Sequence, residues 1–69
     1  MDEYANMALK MIQDAGYRVM VETFADRDGK QIHRATATDD DGHTHIVEAR
    51  TRTDALVELA KRLGFEDLD

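Results

Sequence analysis

The sequence predicts an α+β domain of αβββα order: a three-stranded antiparallel meander sheet with two helices packed on one of its faces, two layers in all. Three observations carry this. Apolar residues recur at helical spacing near both ends of the chain, the stretch between them alternates with a period of two, and two Asp-Gly turns divide that stretch into three strands.

In the first segment Tyr4, Met7, Ala8, Met11, Ile12 and Ala15 recur at helical spacing, Asp2 stands at an N-cap position, and Gly16 stands where a left-handed stop belongs. A helix over 3–15 is expected, with its methionine stripe as core. From Tyr17 to Ala49 the composition turns to Val, Thr, Ile and aromatics, interrupted by Asp26-Arg27-Asp28-Gly29 and Asp39-Asp40-Asp41-Gly42.

Three-residue loops with glycine in the left-handed position place Asp26 opposite Lys30 and Asp39 opposite His43. Phe24 then faces Ile32, Glu22 faces Arg34, Met20 faces Thr36, Arg34 faces Glu48 and Thr36 faces Ile46. Arg34 thus lies between two glutamates. The opposite face collects Val19, Val21, Ala35, Ala37, Val47 and Ala49, small and β-branched groups that let helices approach closely.

In the last segment Thr51 precedes Asp54 by three residues, as in a capping box. Leu56, Leu59, Ala60 and Leu63 follow at helical spacing, and Gly64-Phe65 ends the run. A helix over 53–63 is expected, and residues 1–69 read as a single domain.

Composition narrows the function. A chain of 69 residues buries only about 60% of the surface it exposes when unfolded, which leaves little depth for a substrate cleft. It has no cysteine and no serine, so disulfides, thiolate chemistry and serine hydrolase chemistry are excluded. Fifteen acidic residues against nine Lys and Arg give a formal charge of -6, which opposes direct nucleic-acid binding. No apolar run approaches the ~20 residues needed to span a bilayer, and Met1 leads into acidic residues, so a cytoplasmic protein is expected.

Metal chemistry fits poorly. Alternation sends His33 and His45 to the helix-covered face and leaves His43 at a turn, so the three imidazoles do not converge. Counting from Asp39, the twelfth residue is Arg50, where a calcium loop needs its bidentate glutamate. Glu22 and Glu48 resemble an acid and base pair, but Arg34 between them keeps both ionised. No catalytic residue, metal ligand or cofactor is assigned, and the expectation is a protein that is not an enzyme.

Two surfaces remain as partner-binding candidates. One is an acidic pole where the first helix ends, the second hairpin turns and the second helix ends, gathering Asp14, Asp39, Asp40, Asp41, Glu66, Asp67 and Asp69. Such a field steers basic partners to itself and is able to occupy a groove built for phosphates. The other is the open sheet face, where Met20, Phe24, Ile32 and Ile46 stand among Glu22, Arg34 and Glu48, a surface suited to a contact site or a homodimer.

The whole chain resembles small phage proteins of the ABA-sandwich type, on Gly16-Tyr17-Arg18-Val19, the middle strand Ala35-Thr36-Ala37-Thr38, and Ala49-Arg50-Thr51 leading into Asp54-Ala55-Leu56. In order and acidity it also resembles some anti-CRISPR proteins, short phage-encoded inhibitors that bind a CRISPR effector and block its nucleic-acid site. That resemblance implies an acidic nucleic-acid mimic acting in the host cytoplasm on a basic protein. The same element order is similar to that of double-stranded RNA-binding domains, but Thr53-Asp54 stand where their lysine cluster belongs. The alternative to an inhibitor is a small assembly module that homodimerises through the open sheet face.

Overall fold

A computed structural model describes residues 3–65. The order is α1 (Glu3–Asp14), β1 (Arg18–Ala25), β2 (Gln31–Thr38), β3 (Thr44–Ala49) and α2 (Arg52–Arg62), the αβββα arrangement expected. The sheet is antiparallel in the order β1-β2-β3, and the helices pack on one face of it. The smallest extent of the domain is 16 Å, as befits one helix layer on one sheet.

Turn chemistry sets the register. In both hairpins the first aspartate of an Asp-x-Asp-Gly run closes a three-residue loop. Asp26 Oδ1 accepts the N–H groups of Asp28 and Lys30 at 2.8 and 3.0 Å, and Asp39 Oδ1 accepts those of Asp41 and His43 at 3.0 and 2.8 Å. Gly29 and Gly42 sit at φ +79° and +86°, where a side chain is strained. The resulting pairs include Phe24 with Ile32, Glu22 with Arg34, Met20 with Thr36, Arg34 with Glu48 and Thr36 with Ile46, so every expected pairing is present.

Both helices end as the sequence indicates. The Tyr17 N–H reaches the Ile12 carbonyl at 3.3 Å and the Phe65 N–H reaches that of Ala60 at 2.9 Å, each around a left-handed glycine, Gly16 or Gly64. Thr51 caps α2, its hydroxyl accepting the Asp54 N–H at 3.0 Å. The proposed cap at Asp2 lies outside the described residues.

The fully buried core is Ala5, Ala8 and Ile12 from α1, Ala35 and Ala37 from β2, and Ala55, Leu56, Leu59 and Ala60 from α2. Six of these nine are alanine, which is what close approach of helix to sheet requires. Packing corrects the core stripe expected of α1. Tyr4 and Met7 do not enter the core but stand 58% and 50% exposed, and Ala15 is exposed as well. Because α1 rests on its alanines, Ala5 rather than Tyr4 faces inward, Leu9 packs at the margin, and Met11 is only half-buried.

Candidate functional site

Chain direction gathers the acidic candidates at one end. Three residues connect α1 to β1, so Asp14 and Arg18 flank one short turn, and Arg18 pairs across the sheet with Thr38 at the mouth of the Asp39-Asp40-Asp41 turn. α2 begins at the opposite end and finishes here with Lys61 and Arg62. Among the described residues this end holds four carboxylates (Asp14, Asp39, Asp40 and Asp41) against three cations (Arg18, Lys61 and Arg62). The larger negative excess expected here rests on Glu66, Asp67 and Asp69, which lie outside the described residues.

The four carboxylates are not equivalent. Asp39 is part of the turn's framework: one oxygen accepts two backbone N–H groups and the other lies 3.4 Å from His43 Nδ1. The His43 N–H is the main reason that the Asp39 carboxyl titrates below the usual carboxylate range. Asp40 and Asp41 are exposed and, among the described residues, neither is in an ion pair. They are the chemically available anions of the tip, together with exposed Asp14.

The other end is neutralised. Asp26, the counterpart of Asp39 in the first hairpin, receives Arg50 Nη1 at 2.7 Å. That bond is the largest cause of its lowered pKa, followed by the Lys30 N–H. Arg27, Lys30 and Arg52 add positive charge nearby. The two hairpins share one turn motif and differ in what their aspartates meet.

The open face carries the second candidate group. Met20, Ile46 and Phe24 are exposed at 60%, 50% and 37%, with Ile32 partly buried beside them. Arg34 was expected between Glu22 and Glu48, but it turns to one side. Its Nε and Nη2 both bond Glu48 Oε2, at 2.9 and 2.8 Å, and its guanidinium lies 4.8 Å above the Phe24 ring. Glu22 is left outside any ion pair among the described residues. A shallow groove bordered by Arg18, Val19, Met20, Thr36 and Thr38 runs along the β1 side, and another bordered by Ile32, Glu48, Ala49 and Arg50 lies toward β3.

The histidines serve different neighbours: His33 Nδ1 bonds the Thr23 hydroxyl at 3.1 Å and His45 meets the Tyr17 ring edge-on. The structure does bring ligand-type atoms of Asp39, Asp41 and His43 within 4.8 Å of one another, a grouping that the strand alternation alone does not suggest. Its closeness follows from the Asp39-centred turn. No helix among the described residues is long and apolar enough to cross a membrane.

No family model matches this chain, nor does any curated protein or solved structure. The fold and the two surfaces therefore carry the functional argument.

Proposed function

We propose that this chain is a non-enzymatic protein-binding inhibitor, of the phage anti-CRISPR kind, whose acidic end occupies the nucleic-acid groove of a basic protein such as a CRISPR effector. The observation that supports it best is the β2–β3 tip, where Asp40 and Asp41 are exposed and, among the described residues, in no ion pair, while Asp39 holds the loop in shape from within. A preshaped turn presenting carboxylates loses little conformational freedom on binding and offers charge where a groove expects phosphate.

Asp40→Lys with Asp41→Lys tests this, because it reverses the tip's charge and leaves the Asp39 bonds in place. Capture of basic, nucleic-acid-binding proteins from a nuclease-treated bacterial lysate should fall sharply with the circular dichroism spectrum unchanged. Undiminished capture removes the tip from the proposal. The second reading, an assembly module joined through the open face, is favoured by the exposure of Met20, Phe24 and Ile46.

A further inference from the structure

We propose that β1 pairs antiparallel with β1 of a second copy of this chain, centred on Met20, to form a six-stranded sheet with all four helices on one face. This inference is independent of the acidic-end reading and concerns the sheet's edge rather than its open face.

The two edges of the sheet are unlike. At β3, the Asp39 N–H bonds the His43 carbonyl across the hairpin at 3.0 Å, so alternation turns the backbone groups of Thr44, Ile46 and Glu48 outward. Arg62 lies across that edge, its Nη1 reaching the Ile46 carbonyl at 3.4 Å. The strand is also short, at six residues. At β1, the Asp26 N–H bonds the Lys30 carbonyl at 2.8 Å, so Val19, Val21, Thr23 and Ala25 point their N–H and C=O groups outward. This edge runs for eight residues with unbroken register and contains no proline, lysine or bulge, the usual devices that prevent an edge from pairing.

Charge and shape select the register. A two-fold axis through Met20 sets Arg18 of each copy opposite Glu22 of the other on the open face, and neither residue is in an ion pair among the described residues. Val19 faces Val21 on the covered side, and these two outward-pointing residues exchange backbone hydrogen bonds across the joint. The two Met20 side chains meet at the axis, next to the groove bordered by Arg18, Val19, Thr36 and Thr38. Shifting the axis to Glu22 opposes two like charges, and shifting it to Arg18 does the same. The helix beside this edge is α1, which packs against β1 and carries the exposed Tyr4 and Met7.

Sedimentation equilibrium of the full chain reads the outcome directly. The parent should sediment at twice the 7.8 kDa of the chain at high micromolar concentration. Glu22→Arg should return it to a monomer with unchanged circular dichroism, and Arg18→Glu with Glu22→Arg should restore the dimer. Phe24→Glu, which charges the open face away from the axis, should leave the dimer intact. Met20→Cys supplies a second reading: non-hydrogen-bonded cross-strand partners lie about 4.5 Å apart at Cα, within disulfide reach, and the chain has no other cysteine. Mild oxidation should convert it quantitatively to a covalent dimer, while Ile46→Cys should not respond. A monomeric parent, loss of the dimer in Phe24→Glu alone, or equal cross-linking of the two cysteine variants would each overturn the proposal.

Discussion

Leu59→Ala is the perturbation whose magnitude follows most directly from the packing. Among the described residues only three large side chains, Ile12, Leu56 and Leu59, are fully buried, and the other six core positions are alanines already at minimum size. Removing Leu59 leaves a cavity that a backbone held by neighbouring alanines has little freedom to close, which costs about 2–5 kcal/mol. A 69-residue domain has roughly 3–10 kcal/mol of total stability, so this single truncation removes a large share of it. Ile46→Ala, on the half-exposed open face, should cost about 1 kcal/mol or less. With a urea dependence near 1 kcal/mol per molar, the Leu59 variant should lose about 2 M or more of unfolding midpoint, and the Ile46 variant less than about 1 M. Equal shifts would mean that the sheet is buried on both faces, and the one-sided core described above would be wrong.

Two further predictions concern the turns. Asp26 and Asp39 both have lowered pKa values in the folded state, through Arg50 and the Lys30 N–H in one case and chiefly the His43 N–H in the other. Their contribution to stability is therefore present above the carboxyl pKa of the unfolded chain and is lost as pH falls through the folded values. The melting temperature should decline on acidification below about pH 4, and Asp26→Asn with Asp39→Asn should flatten that decline. A parallel decline in parent and variant contradicts the assignment. Gly42→Ala places a side chain at φ +86° with nothing nearby to clash, so the penalty is backbone strain alone, about 1–2 kcal/mol by chemical denaturation; an unchanged midpoint would rule out the left-handed turn.

Much of the fold was legible because local chemistry and strand alternation agree. The Asp-x-Asp-Gly turns specify a three-residue loop, and from that loop every cross-strand pair follows by counting. Helix ends were readable for the same reason, since Gly16, Gly64 and Thr51 each satisfy terminal backbone groups in a recognisable way. What failed to show was the part decided by tertiary packing. Helical spacing indicates an apolar stripe but not which portion of it meets the sheet, and alanines such as Ala5 and Ala55 carry too little hydrophobic signal to outweigh Tyr4 or Met7.

The candidate surfaces divide in the same way. Topology alone brings Asp14 and the Asp39-Asp40-Asp41 turn to one end, but it does not distinguish Asp39, held within its loop, from its two exposed neighbours. Register places Glu22 and Glu48 symmetrically about Arg34, yet a guanidinium points one way, and the Phe24 ring and Glu48 together decide which. The bar that Arg62 lays across β3 depends on where α2 ends over the sheet, which no local pattern encodes.

Affinity capture is the decisive experiment for the proposed binding of the acidic end to a basic nucleic-acid groove. Immobilised parent and the Asp40→Lys, Asp41→Lys variant would be compared on one nuclease-treated lysate at two salt concentrations, with mass spectrometry of the retained proteins. The parent should retain nucleic-acid-binding proteins that added single-stranded DNA displaces and higher salt releases, and the folded variant should not. Identical retention by both, or retention indifferent to DNA and salt, would contradict it.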